Sequence, residues 1–115
     1  MSVIRQFPHS TIDFIRGAEE GIVIVSGEVD LCTAPRLEEE LRRCQQAAFR
    51  IIVDLERVEF MDCAGLRVLV NASAKLGPAR FSVILGSPQV QKLFELTGMT
   101  GVLRVIPRAF HRSAA

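Results

Sequence analysis

Two short runs of β-branched and aliphatic residues, Ile22-Val23-Ile24-Val25 and Ile51-Ile52-Val53-Asp54-Leu55, constrain this chain more than any other feature. A half-exposed strand alternates apolar and polar residues. Ile22 to Val25 does not alternate, so its strand is expected to be buried on both faces, as inner strands of parallel sheets are. Each run is followed by turn residues and then by an amphipathic helical pattern. Strand–helix–strand alternation implies parallel neighbours joined by right-handed crossovers. The fold class is therefore α/β, with a mixed sheet.

The mixture comes from the start of the chain. Thr11 to Arg16 alternates as a half-exposed strand should, and Ala18-Glu19-Glu20-Gly21 reads as a turn that pairs it with Ile22–Val25 in an antiparallel hairpin. Gly27 to Cys32 carries the chain off the sheet, and Thr33 is placed to cap the first helix, with Pro35 in its first turn. Leu37, Leu41, Cys44 and Ala48 share one face. Glu38, Glu39 and Glu40 precede Arg42 and Arg43, which suits the helix dipole and pairs charges four residues apart. Leu66, Leu69, Val70, Ser73 and Leu76 mark a second helix that Gly77-Pro78 ends. Phe81 to Leu85 is a strand, and Ser87-Pro88 opens a third helix with Val90, Leu93 and Phe94 inward and Gly98 as its left-handed end. Val102 to Ile106 is expected to be a last short strand, and Arg108 to Ala115 a frayed basic tail.

Composition narrows the function. A chain of 115 residues is one domain. Its formal net charge of +1 and the lack of any window rich in Lys and Arg argue against a nucleic-acid footprint. No apolar run approaches the roughly 20 residues that span a bilayer, and Met1 to Arg5 has no signal-peptide core, so the expected compartment is the cytoplasm. There Cys32, Cys44 and Cys63 are expected to be reduced. They form no CxxC pair, and His9 and His111 lie near the termini, so no metal is expected.

The richest local pattern is Val58-Glu59-Phe60-Met61-Asp62-Cys63-Ala64-Gly65-Leu66. A strand feeds into it and a helix leaves it, so the turn presents Asp62 and Cys63 at a helix start. The first N–H groups there lack intrahelical partners and the dipole is positive. Asp62 is expected to cap the helix and orient residue 63, while Phe60 and Met61 go to the core. Gly65 suits close approach of backbone or of a partner. Asp30 and Asp62 could be read as an acid–base pair, but no His, Lys or second nucleophile accompanies them, so no enzyme and no cofactor is expected.

Three segments carry a resemblance to a family. Gly27-Glu28-Val29-Asp30-Leu31-Cys32-Thr33-Ala34-Pro35 resembles the first signature of STAS domains, in particular the bacterial anti-sigma-factor antagonists. Val53-Asp54-Leu55 with Val58 to Leu66 resembles the second, and Leu93-Phe94-Glu95-Leu96-Thr97-Gly98-Met99 the ending of the third helix. The resemblance implies one STAS-like domain over residues 10–107, after an N-terminal extension (1–9) and before a C-terminal tail (108–115). It implies about four to five strands with about three to four helices mainly on one face. The implied role is a non-enzymatic switch that binds an anti-sigma factor of ATPase and serine-kinase fold, freeing a sigma factor for transcription. The implied partner-binding residues are Asp30, Thr33, Asp62, Cys63, Ala64, Gly65 and Leu66. The oligomeric state is left open between monomer and weak dimer.

The chain departs from the family at Cys63, where the resemblance implies a phosphorylatable Ser. Control by phosphorylation is thereby in doubt. Three roles are open for Cys63: an inert Ser replacement, a redox-active thiol, or a site of another modification. The resemblance puts the Cys32 loop and the Cys63 turn at the same end of the sheet, so a reversible Cys32–Cys63 bridge is an expectation. The rival reading is a stand-alone STAS module that binds a nucleotide or lipid, or serves as a scaffold. The absence of a glycine-rich phosphate loop counts against a nucleotide.

Overall fold

A computed structural model describes residues 2–7 and 9–108. The sheet has five strands in the order β1-β2-β3-β4-β5: β1 Ser2–Phe7, β2 Ser10–Arg16, β3 Glu20–Val29, β4 Arg50–Met61 and β5 Phe81–Ile84. The first three form an antiparallel meander, and β4 and β5 add in parallel. Helices α1 (Ala34–Ala47), α2 (Cys63–Leu76) and α3 (Pro88–Thr97) supply the connections, with a 3-10 turn at Met99–Gly101.

The core lies between the sheet and the helices. Val23, Val25, Val53, Leu55 and Val83 face Leu37, Leu41, Leu69, Val90 and Phe94, and all are buried. Full burial of one such side chain contributes roughly 1.5–3 kcal/mol. Among the described residues the opposite sheet face holds a small buried cluster of Ile52, Ile84 and Ile106, with Ile22 packed on it.

Several expectations change. Residues 1–9, read as an extension, include β1, which pairs with β2 from Ser2↔Ile15 to Phe7↔Ser10. The strands of both runs extend further than the runs themselves. β3 continues to Val29 and β4 to Met61, through register shifts between Ile24 and Ser26 and between Gly27 and Glu28. The shifts break the two-residue alternation, so Met61 is buried as expected while Phe60 is 43% exposed rather than core. The last strand shrinks to one parallel bridge, Val105 to Val83. Of the basic tail only Arg108 falls among the described residues, where it pairs with Glu56 at 3.1 Å; residues 109–115, His111 included, lie outside them.

The expected helix ends hold at four places. Asp62 caps α2, Gly77 ends it at φ 84°, Ser87 caps α3 by accepting from Val90 N–H at 3.3 Å, and Gly98 closes α3 at φ 74°. Thr33 is the exception. It stands at the N-cap of α1, but its hydroxyl makes no capping bond.

Glu40 is also unlike its acidic neighbours. Glu38 and Glu39 pair with Arg42 and Arg43 on the exposed side of α1, whereas Glu40 is 6% exposed. Its carboxylate accepts from Arg43 at 2.6 Å and meets Arg5 of β1 at 3.5 Å. A buried carboxylate needs such partners, because an unpaired charge in the interior is costly.

Candidate functional site

Parallel pairing of β3 and β4 brings Val29 beside Met61, so both chain exits leave the same edge of the sheet. In open α/β sheets the carboxyl ends of parallel strands are where binding sites are built. The two exits are tied directly: Asp62 N–H donates to Val29 O at 3.1 Å.

The Asp30 loop is a closed hydrogen-bonded unit. Cys32 N–H and Thr33 N–H donate to Asp30 Oδ1 at 2.9 and 3.1 Å. Asp30 N–H donates to Thr33 Oγ1 at 2.9 Å, and that hydroxyl donates to Glu28 O at 3.0 Å. Thr33 therefore serves the loop rather than the helix, which is why its capping bond is missing. The Thr33 N–H, joined by Cys32 N–H and the Thr33 hydroxyl, holds the Asp30 carboxyl below its ordinary 3.8 despite partial desolvation.

At the second exit, Asp62 Oδ1 accepts from Ala64 N–H at 2.9 Å and from Gly65 N–H at 3.4 Å. The cap fixes the start of α2 and leaves Cys63, its first residue, exposed. Gly65 packs against the other exit: a Cβ there would lie 2.7 Å from Val29 Cγ1 and 3.1 Å from Val29 O. The packing reason for this glycine is thus visible. Gln89 of α3 anchors the end of β4, accepting from Met61 N–H and donating to Met61 O, both at 2.9 Å.

Of the residues expected to bind a partner, Asp30, Asp62 and Ala64 are half-buried and Cys63 is exposed. Thr33, Gly65 and Leu66 are buried; they shape the surface from beneath and do not form it. Two exposed apolar side chains flank this edge, Leu31 at 76% and Phe60 at 43% exposure; the sequence reading assigned Phe60 to the core and did not single out Leu31 within its loop. Apolar side chains exposed together beside a built loop offer contact area to a partner. Cys32 lines a shallow cleft of about 320 Å³ with His9, Asp30, Thr33 and Arg36, and Cys63 is not part of that lining.

Cys32 and Cys63 are exposed free thiols and Cys44 is buried. Burial, with the charge of Glu40 adding to it, pushes the Cys44 thiol up to about 12. Native protein should therefore release two equivalents of thionitrobenzoate from Ellman's reagent quickly, and the third only after unfolding. Three fast thiols would place Cys44 at the surface.

Among the described residues no helix is long and apolar enough to cross a membrane, and no group of three or more His, Cys, Asp or Glu is placed to hold a metal ion.

The chain is similar to known proteins. Residues 11–111 match the STAS domain. An anti-sigma-B factor antagonist of Staphylococcus aureus is 40% identical over 86 residues, which is 72% of this chain and 80% of that protein. The anti-sigma-B factor antagonist of Listeria monocytogenes is 33% identical over 86 residues, 72% of this chain and 75% of its own. The crystal structure of an anti-sigma factor antagonist from Mycobacterium paratuberculosis superposes with a TM-score of 0.77 at 30% identity, covering 84% of each chain. Fold, order of motifs and sequence agree: the chain belongs to the STAS domain family.

Proposed function

We propose that this chain is an anti-sigma-factor antagonist acting in the bacterial cytoplasm, and that its partner is an anti-sigma factor of ATPase and serine-kinase fold. Relatives named anti-sigma-B factor antagonist support the role. The observation that carries the binding surface is the capped start of α2, with Cys63 exposed between the half-buried Asp62 and Ala64 and Leu31 and Phe60 exposed at the same sheet edge. Asp30, Thr33, Gly65 and Leu66 hold that surface in shape. Binding there withdraws the anti-sigma factor from its sigma factor.

Cys63 stands where the family resemblance implies a phosphorylatable Ser, and a thiol is a poor acceptor for a serine kinase. The antagonist is then not switched off by its partner's kinase activity. Adding ATP to the complex should leave the native chain unlabelled, whereas Cys63→Ser should take up phosphate; no labelling of either would remove the kinase from this scheme.

A second mode of control rests on the exposure of both Cys32 and Cys63 as free thiols. Hydrogen peroxide could join them, taking one hydrogen from each thiol and being reduced to water. The deciding experiment is affinity capture from the organism's own lysate, in reductant and after mild peroxide, with mass spectrometry of what is held. An anti-sigma factor recovered in both conditions supports an antagonist with an inert Cys63. Recovery only in reductant, with two fewer thiols after peroxide, supports the redox switch. Recovery of no anti-sigma factor in either condition overturns the proposal and favours a ligand-binding or scaffold module.

A further inference from the structure

We infer that the groove between the last turns of α1 and the β1–β2 pair is a binding site for a small anionic amphiphile, a medium-chain carboxylate. The groove has a volume of about 220 Å³ and is lined by Arg5, Phe14, Arg16, Glu40, Arg43, Cys44 and Ala47. That is room for about seven water-sized volumes. Its residues do not overlap those of the partner surface, so it stands or falls independently of the proposed function.

The floor is apolar and built. The Phe14 ring lies across the backbone of Gly21, where a Cβ would meet it at 2.4 Å. The glycine thus lets the ring settle low and leaves space above it. Cys44 and Ala47 of α1 form the wall. Cys44 is 2% exposed and its thiol stays protonated at neutral pH, so the wall carries no charge.

The rim is cationic. Glu40, its side chain 8% exposed, engages both Arg5 and Arg43, and Arg43 also donates to Glu39 at 2.8 Å. Arg16, on the same sheet face as Phe14, has no ion pair among the described residues. Three guanidiniums therefore stand against two carboxylates, and the unmatched charge is at Arg16. A carboxylate suits a guanidinium fork, and an apolar chain suits Phe14 and Ala47. Neither half suffices alone: an exposed ion pair contributes little, and so small a groove buries little surface.

The test is a titration of the full-length ¹⁵N-labelled chain with octanoate, with acetate and 1-octanol as separate arms. Octanoate should produce saturable amide shifts centred on residues 12–16 and 40–47. Acetate at equal concentration should produce none, and 1-octanol should bind at least fivefold more weakly. Arg16→Gln should weaken octanoate about fivefold and leave 1-octanol unchanged. Ala47→Leu, which fills the groove with a good helix former, should abolish the octanoate shifts while the rest of the spectrum is retained. Absence of saturation, shifts centred elsewhere, equal response to acetate or 1-octanol, or undiminished binding by Arg16→Gln would each overturn the inference.

Discussion

Cys63→Glu is expected to weaken binding to the anti-sigma factor about a hundredfold, a loss of about 2.7 kcal/mol. The charge would stand on the first residue of α2, beside the Asp62 carboxylate, in a surface that binding must desolvate. Folding should not suffer, because an acid in the first turn is favoured by the helix dipole, by about 0.3–1 kcal/mol at an exposed position. The melting temperature should move by no more than about 4 °C. Cys63→Ala, which removes the thiol and adds no charge, should keep the affinity within about threefold. Calorimetric titration of both variants against the purified anti-sigma factor separates the cases. Unchanged affinity for Cys63→Glu would put the interface elsewhere on the molecule.

The largest expected effect on stability is at Gly27. Its φ is 88°, and an added Cβ would lie 2.2 Å from the carbonyl oxygen of His9, a backbone atom that cannot step aside. The same carbonyl accepts from Glu28 N–H at 2.9 Å, so the clash falls on the hydrogen bond that holds the shifted end of β3. Gly27→Ala should cost about 3 kcal/mol or more, through backbone strain and displacement of the meander. At about 4 °C per kcal/mol, the melting temperature should fall by about 12 °C. Gly98→Ala is the matching control. Its φ is 74° with nothing within 4 Å of the new atom, so only the left-handed conformation is charged, at about 1–2 kcal/mol. Equal losses at the two positions would mean that the His9 carbonyl gives way.

What the sequence made legible was local. Asp62, Ser87-Pro88 and Gly98 mark helix ends because a cap needs only residues within a turn of it. Leu37, Leu41, Cys44, Leu66 and Leu69 declare their burial through helical spacing alone. The hairpin and the parallel crossovers followed from the two apolar runs and the helices between strands. The rest depends on neighbours distant in sequence. Phe60 is exposed because register shifts between β3 and β4 change which side chains face the core, and no pattern within β4 reveals them. Glu40 is buried because Arg5 reaches it from β1, a strand that its own sequence did not declare. The role of Gln89 needs α3 to lie across the end of β4. Thr33 sits where a cap belongs, yet the Asp30 loop takes its hydroxyl.

Strand order here repeats chain order, so each strand pairs with the one made just before it. The β1–β2 and β2–β3 pairings join neighbouring segments, so little loop-closure entropy has to be lost before they form. The expected sequence of events during synthesis follows. The β1–β2 and β2–β3 pairings have all their residues once Val29 has left the ribosome, while the other edge of β3 still waits for β4. The binding edge is different, because it exists only when Met61 lies beside Val29. A nascent chain thus passes through a stage with a formed sheet edge and no recognition surface, and it becomes competent for its partner only after the α1 crossover is complete.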